Sequence, residues 1–195
     1  RHQRTLFESF LDGKKTFGAN YKLVEDVRLI EESYGSLLKM ALGLSRVTGR
    51  MTKPGEIVGI LTPNAAPTLG LVLGLSLSKR VPAMLNYTSG ADGLRAAFTA
   101  AGIKTIVASR GFVEKARLGA VLDQLDGITI HYLEDFKAQI GLADKLWVSW
   151  HLLFPASAAV KQTPDDAAIV LFTSGSEGKP KGVMLTFANY RTNRA

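Results

Sequence analysis

Residues 56–61 have the sequence Glu56-Ile57-Val58-Gly59-Ile60-Leu61, and they open the stretch that decides the fold. This short apolar run stops at Pro63-Asn64. A longer run of small and apolar residues follows over 65–78, and a second short apolar run covers 81–85. Short apolar runs that alternate with longer ones are typical of β-α-β units. The stretch therefore predicts a strand, a helix and a second strand.

The same alternation continues to residue 133. Residues 93–101 are predicted to form a helix capped by Asp92, with Gly102 as its left-handed C-terminal glycine. Two β-branched runs, 103–107 and 128–133, predict strands on either side of a helix over 112–125. Four strands joined by three crossovers favour a parallel arrangement. The predicted fold class is therefore α/β, a mostly parallel layered sheet with flanking helices.

Helices are also predicted outside this central region. An amphipathic helix over 36–47 follows from apolar residues at i, i+3, i+4 and i+7. A further helix over 143–153 stops before Pro155, and 156–166 is interpreted as a linker. Trp147 and Trp150 are interpreted as packing side chains of that helix. The residues with this spacing in the helix predicted over 36–47 are Leu37, Met40, Ala41, Leu44 and Thr48.

The charge is positive but dispersed. The chain has 24 Lys and Arg residues against 17 Asp and Glu, and no run of like charge exceeds two residues. A polybasic arm is therefore absent, and nucleic acid is not an expected partner. The most apolar stretch, 57–77, is interrupted by Pro63, Asn64 and Pro67, and its uninterrupted remainder, 69–77, is far shorter than the roughly 20 residues that a membrane span needs. Because the chain has no cysteine, disulfides, thiol nucleophiles and Cys-ligated zinc are excluded.

The segment that carries chemistry follows the last apolar run, 167–172. It reads Thr173-Ser174-Gly175-Ser176-Glu177-Gly178-Lys179-Pro180-Lys181-Gly182. Glycine amides, hydroxyls and lysines close together are suited to the oxygens of a polyphosphate. Two known phosphate motifs do not fit: the Walker spacing fails at Thr173 and Pro180, and no G-x-G-x-x-G is present. A flexible glycine turn that leads into 183–185 is the alternative that composition leaves open.

The run from Phe172 to Val183, FTSGSEGKPKGV, resembles the phosphate loop of the adenylate-forming (AMP-binding) superfamily, which includes acyl-CoA synthetases, luciferases and peptide-synthetase adenylation domains. Weaker resemblance covers 33–37 and 55–86. Within the superfamily, the chain is most similar to the synthetase part of the bacterial bifunctional acyl-[acyl-carrier-protein] synthetase / 2-acylglycerophosphoethanolamine acyltransferase family. The segments that carry this closer resemblance are 85–90, 103–106, 132–135, 143–145 and the Ser-Glu-Gly variant of the loop.

The resemblance implies that residues 1–195 form the N-terminal portion of an adenylation domain, with its phosphate loop at 173–182. Glu177 stands where the family usually has Thr, and Lys179 is interpreted as a solvated loop charge. No catalytic residue and no metal ligand is assigned within these residues. The residues expected to enclose the β- and γ-phosphates of ATP are Thr173, Ser174, Gly175, Ser176, Gly178 and Lys181.

The resemblance also implies a two-step reaction. A fatty acid and ATP with Mg²⁺ give an acyl-adenylate, and the acyl group then passes to acyl-carrier-protein. In the full-length relative it re-acylates a lysophospholipid, so the expected location is the cytoplasm or the cytoplasmic face of the inner membrane. The family's adenine-binding segment and adenylating lysine do not occur in these residues, so we expect the chain alone to be inactive. Two alternatives stay open: a non-catalytic phosphate-binding module, and an adenylate-forming enzyme that acts on CoA or amino acids.

Overall fold

The computed structural model describes residues 4–25, 30–174 and 180–192. Its strands are β1 Lys22–Glu25, β2 Glu31–Ser33, β3 Ile57–Leu61, β4 Val81–Met84, β5 Thr105–Ala108, β6 Thr129–Tyr132, β7 Ala167–Ser174 and β8 Pro180–Thr186. Its helices are α1 Leu6–Phe17, α2 Tyr34–Met51, α3 Ala66–Leu77, α4 Gly90–Ala101, α5 Arg110–Lys115, α6 Gly119–Leu122, α7 Leu133–Gln139, α8 Leu142–Leu153 and α9 Phe187–Thr192.

One sheet of six strands organises these elements, in the order β6-β5-β3-β4-β7-β8. Neighbouring strands from β6 to β7 are parallel, and β8 pairs antiparallel with β7. β1 and β2 form a separate antiparallel pair. The predicted α/β class with a mostly parallel sheet is confirmed, whereas the return strand β8 was not foreseen.

The helix predicted over 65–78 is confirmed as α3, and the helix predicted over 36–47 is longer in the structure. It begins at Tyr34 because Ser33 and Ser36 form a capping box, in which each side chain bonds to the other residue's backbone amide. It runs on to Met51. α1, whose N-terminus is capped by Thr5 and Glu8, was not foreseen.

α3 is apolar around its whole circumference because other elements cover it on all sides. α2 packs against one side of α3, and the two helix backbones approach each other most closely at Gly74. A Cβ atom at Gly74 would lie 2.7 Å from the carbonyl oxygen of Ala41, and one at Gly70 would lie 2.6 Å from the sulfur of Met40. The two glycines therefore set how closely α2 and α3 approach.

Gly102 ends α4 in the left-handed conformation, with φ 65° and ψ 30°, as predicted. The predicted cap at Asp92 is wrong. α4 begins at Gly90, three residues before the predicted start, and Asp92 lies inside its first turn, where it accepts a hydrogen bond from Arg95 at 2.7 Å. A carboxylate near a helix N-terminus is favourable without capping it, which is why the sequence signal was misplaced.

The single helix predicted over 112–125 is also wrong. The structure has α5 and α6 there, separated by Arg117 with φ 54°. Val113 and Leu118 are both buried in one cluster. In a continuous helix residues five apart project about 140° from each other, so one face could not bury both. The break at Arg117 allows both side chains to reach the core.

α8 is confirmed close to its predicted bounds, and Asp144 attaches it to α2. Its carboxylate accepts hydrogen bonds from Arg46 at 3.0 Å and Arg50 at 2.9 Å, and Asp144 is only 5% exposed. Burial alone would raise the pKa of Asp144. Hydrogen bonds from the Gly141 amide and from both arginines outweigh it, so the pKa lies below the ordinary aspartate value.

The expected linker over 156–166 contains a short 3-10 helix, Pro155–Ala158. Its later part is tied to the core, because Gln162 donates a hydrogen bond to the Ser76 carbonyl oxygen at 2.7 Å. Across the parts of the chain given above, no helix is long and apolar enough to cross a bilayer.

Replacing Gly74 by alanine should destabilise the fold. Alanine normally stabilises a helix interior relative to glycine by up to about 1 kcal/mol. At Gly74 the added Cβ meets a backbone oxygen that cannot move aside, so we expect a net loss of about 1–3 kcal/mol. Gly119→Ala is the matched control, since a Cβ there meets nothing within 4 Å. Urea unfolding should show G74A less stable and G119A at least as stable as the wild type; equal effects would contradict the contact.

The lowered pKa of Asp144 makes stability depend on pH. A carboxylate whose pKa is lower in the folded state stabilises that state above its unfolded pKa, and this contribution disappears as the pH falls through the folded pKa. Asp144→Asn should therefore be less stable than the wild type near pH 7, with a difference that shrinks below the ordinary aspartate pKa of about 4. Thermal unfolding from pH 7 to pH 3 measures the difference, and a constant gap would refute the assignment.

Candidate active site

The carboxyl ends of five parallel strands lie along one edge of the sheet. β3, β4, β5, β6 and β7 all end there, because each pair of neighbours among them is parallel. In open α/β sheets ligands bind outside this edge. The segments that follow these strands therefore form the candidate site.

The predicted phosphate loop begins at this edge. Thr173 is exposed near the end of β7, and its backbone is the register partner of Lys181 in β8, while Ser174 is paired with Pro180. The structure thus brings together the backbone positions of Thr173, Ser174 and Lys181 at the base of a hairpin. The other predicted phosphate-binding residues, Gly175, Ser176 and Gly178, lie outside the described residues, as do Glu177 and Lys179.

A cavity of about 330 Å³ lies at the same edge, between the ends of β3 and β5. The chain leaves β3 towards β4 and leaves β5 towards β6, in opposite directions along the sheet, so this is a topological switch point. Thr62 and Thr68 line the cavity, with their hydroxyls 2.8 Å apart, and Phe112 and Lys115 line its opposite side. The cavity is two strands away from β7.

The amides that begin α5 already have an anionic partner. Glu134 accepts a hydrogen bond from the Ser109 hydroxyl at 2.8 Å and others from the backbone of Arg110 and Gly111. Burial would raise the pKa of Glu134, but the hydrogen bond from its own backbone amide, together with those from Ser109, Arg110 and Gly111, outweighs burial and lowers the pKa. This end of the edge is therefore occupied by the protein's own carboxylate.

The charge of Arg110 is likewise balanced by a carboxylate of the protein itself. Its guanidinium donates two hydrogen bonds of 2.6 Å to the carboxylate of Asp135 and lies 4.4 Å from the centre of the Tyr132 ring. The hydrogen bonds to Arg110 lower the pKa of Asp135. The β5 and β6 end of the edge thus has its cation and its anions paired with one another.

Sequence reasoning missed Ser109, Glu134 and Asp135. A usable signal existed, because Ser109 directly follows β5 and Glu134 comes soon after β6, and the ends of adjacent parallel strands lie together. Within 4–25, 30–174 and 180–192, no three His, Asp or Glu side chains cluster as metal ligands would. Trp147 is half-buried, as expected of a packing side chain, but Trp150 is 59% exposed, so its packing interpretation is wrong.

Comparison with known proteins gives the family of the chain. The family model described as AMP-binding enzyme matches residues 28–195. The delta-poly-L-ornithine synthetase of Acinetobacter baumannii is 26% identical over 80% of this chain and 10% of its own length. The medium/long-chain-fatty-acid–CoA ligase FadD6 of Mycobacterium tuberculosis is 27% identical over 72% of this chain and 22% of its own length.

The fold itself matches solved structures. VinN in complex with 3-methylaspartate superimposes with a TM-score of 0.75 at 23% identity, over all of this chain and 52% of VinN. The chain therefore spans between a tenth and about half of the length of these proteins. Because the family model matches most of its residues, the chain belongs to the AMP-binding enzyme family.

Proposed function

We propose that this chain is the N-terminal part of an enzyme that activates a fatty acid with ATP and transfers the acyl group to the thiol of acyl-carrier-protein. Enzymes of this family are ATP-using ligases. The fatty acid, the carrier protein and the roles of individual loop residues are the parts that are proposed.

The observation that carries the proposal is the position of the Thr173 and Lys181 pair. The two residues flank the loop, and their backbones face each other where β7 reaches the carboxyl edge of the sheet. A ligand outside that edge would meet both sides of the loop. Because Glu134 and Asp135 already pair with the amides and the cation at the β5 and β6 end, the β7 end is better suited to an incoming anion.

The proposed chemistry has two steps. In the first, a fatty-acid carboxylate oxygen attacks the α-phosphorus of Mg–ATP, the bond from that phosphorus to the bridging oxygen breaks, and pyrophosphate leaves. The loop, with Thr173, Ser174, Gly175, Ser176, Gly178 and Lys181, would hold the β- and γ-phosphates and stabilise charge on the leaving group. In the second, the carrier-protein sulfur attacks the acyl carbon, AMP leaves, and the thiol proton is released.

Magnesium enters this proposal as part of the Mg–ATP substrate. Mg²⁺ commonly binds substrate phosphates with only one or two protein carboxylates. The absence of a three-residue His, Asp or Glu cluster from the described parts of the chain is compatible with that mode.

The proposed fate of the acyl group determines where in the cell the enzyme is proposed to act. Transfer of the acyl group onward to a lysophospholipid would occur at the cytoplasmic face of the inner membrane, as the resemblance in the strand and loop segments implies. A fatty-acid–CoA ligase among the relatives supports the acyl substrate class. It equally supports CoA as the acceptor, so the acceptor has to be measured.

Amino-acid activation is the second candidate. It is favoured by a poly-ornithine synthetase among the relatives and by a solved structure that contains an amino acid. Both reactions form an adenylate with release of pyrophosphate, so they differ in the acid and not in the proposed role of the loop.

Removal of a loop contact should slow adenylate formation. In the full-length protein, Lys181→Ala and Ser174→Ala should each reduce fatty-acid-dependent ATP–pyrophosphate exchange by about 10²–10³, the usual effect of losing one contact to developing charge. Lys161→Ala and Ser157→Ala are the matched controls, since both residues are exposed and precede β7. Wild-type exchange in both loop variants would contradict the assignment, and no exchange with any acid would favour a non-catalytic phosphate-binding protein.

The acid and the acceptor can be tested in the same assay. Exchange should respond to long-chain fatty acids and not to ornithine or aspartate, and the acyl group should pass to acyl-carrier-protein faster than to CoA. Mass spectrometry of the acylated acceptor gives the ratio. Exchange driven by amino acids, or faster transfer to CoA, would replace the proposed substrate or acceptor without affecting the role of the loop.

A further inference from the structure

A phenylalanine and a glycine face each other one residue pair inside the base of the loop. Phe172 in β7 and Gly182 in β8 are register partners, next to the pair of Thr173 and Lys181. Residues directly opposite each other in an antiparallel pair share one face of the sheet. A Cβ atom at Gly182 would lie 3.2 Å from Cε1 and 3.6 Å from Cδ1 of the Phe172 ring. The ring therefore occupies the space in which any other residue at 182 would place its side chain.

Gly182 is required for space and not for its backbone conformation. Its φ lies outside the left-handed region, so other residues could adopt the same backbone. A glycine inside a strand weakens the strand, and β8 is the outermost strand at its end of the described sheet. Non-bonded carbon atoms are normally about 3.5–4.0 Å apart. An alanine at 182 would therefore force the ring or the strand to move by a few tenths of an ångström.

The Phe172 ring is supported from the side of the core. It is half-buried and packs against the buried cluster to which Leu94 and Phe98 of α4 belong. α4 also packs against β8, and Val170, which shares the face of Phe172, is only 1% exposed. Because the ring is backed by close-packed side chains, it has little room to move. A side chain added at 182 would therefore displace β8, which has a partner strand on one side only.

We propose that Phe172 and Gly182 are positioning residues for the phosphate loop, because their contact sets where β8 lies beside β7 at the base of that loop. A shift of β8 at Gly182 would move the backbone of its neighbour Lys181 relative to Thr173. An aromatic ring opposite a strand glycine also compensates for the side chain that the glycine lacks. Neither residue is among those assigned to the phosphates, so both act through their neighbours in the chain. The inference rests on the proposed role of the loop and adds two residues to it.

A purely structural role of this contact would give a different kinetic result. If the contact only stabilised the fold, its loss would reduce the amount of folded enzyme, and so the maximal rate, without changing the KM for ATP. If the contact positions the loop, its loss should raise the KM for ATP and leave the KM for the acid unchanged. Since a misplacement of about 1 Å can cost about 10² in rate, we expect the smaller shift in Gly182→Ala to raise the KM for ATP about tenfold.

An exchange of side-chain size between the two positions tests the proposal. Leucine at 172 has no atom in the place of Cε1, the ring atom that an alanine at 182 would crowd. ATP–pyrophosphate exchange is measured on the full-length protein with Phe172→Leu, Gly182→Ala and the double variant. Gly182→Ala should raise the KM for ATP about tenfold in the wild-type background and less than about twofold in the Phe172→Leu background, because contacting residues are not additive. Phe172→Leu alone should also raise it, since Gly182 then loses its cover.

Met184→Ala is the matched control. Met184 is 50% exposed, lies on the same face of β8 as Gly182 and is paired with Val170, further from the loop. Its truncation weakens the same strand pair, and the KM for ATP should stay at the wild-type value. Thermal unfolding of each variant shows whether it is folded. An unchanged KM for ATP in Gly182→Ala, an equal effect of that substitution in both backgrounds, or the same increase in Met184→Ala would overturn the proposal.

The Lys181→Ala variant separates this inference from the proposed function. If Lys181→Ala slows exchange while Gly182→Ala leaves the KM for ATP unchanged, the loop keeps its proposed role and the positioning role is refuted. If Lys181→Ala exchanges at the wild-type rate, the role of the loop is refuted, and the positioning role is refuted with it.

Discussion

The close contact between α2 and α3 is the constraint on which the rest of this structure depends. At Gly74 the backbone of α3 approaches the Ala41 carbonyl oxygen of α2 so closely that no side chain fits between the two helices. α3 joins β3 to β4, and α2 is attached to α8 through Asp144. The position of α3 therefore fixes both the middle of the sheet and the outer helices. Arg80, which directly precedes β4 and is 8% exposed, reinforces the same junction. Its guanidinium donates hydrogen bonds to the carbonyl oxygens of Gly49 and Thr52 at the end of α2 and of Ser78 at the end of α3.

Local sequence patterns were sufficient to predict a helix or strand that buries one face or is buried entirely. The alternation over 56–85 predicted β3, α3 and β4, and Gly102 predicted the end of α4, because each signal is local. These patterns failed where contacts with residues distant in the sequence determine where a helix or strand begins and ends. The region 112–125 has helical periodicity, but Val113 and Leu118 have to reach one core, so the helix breaks at Arg117. β8 could not be foreseen because it forms through its antiparallel pairing with β7, which is not a local property of residues 180–186.

The strand that leads into the candidate loop was predictable from the sequence, but the surroundings of that strand were predictable only in part. Residues 167–172 were expected to form a strand, and β7 ends at the carboxyl edge of the sheet, where the segment from Thr173 begins. The pairing of Glu134 with Ser109 and of Asp135 with Arg110 follows from the two strand ends once β5 and β6 are known to be neighbours, and that strand order is not given by either segment alone. These pairs have a physical consequence for binding. An anion at the β5 and β6 end would have to displace a carboxylate that already has its hydrogen bonds, whereas the β7 end has no such requirement among the contacts described.

The pairing of β7 with β8 bears on the two interpretations that composition left open for the glycine-rich segment. The segment joins β7 to the antiparallel strand β8, and Pro180 begins β8 at a position where a missing N–H is tolerated on an edge strand. A turn and a phosphate loop are not exclusive, however. Register partners across an antiparallel pair have Cα atoms about 4.5–5.5 Å apart, so the pairing of Thr173 with Lys181 fixes the base of the loop. A loop anchored at both ends loses less conformational entropy when it binds a ligand than a free one would. The pairing of β7 with β8 is therefore the feature that would make the segment between them an effective binding loop.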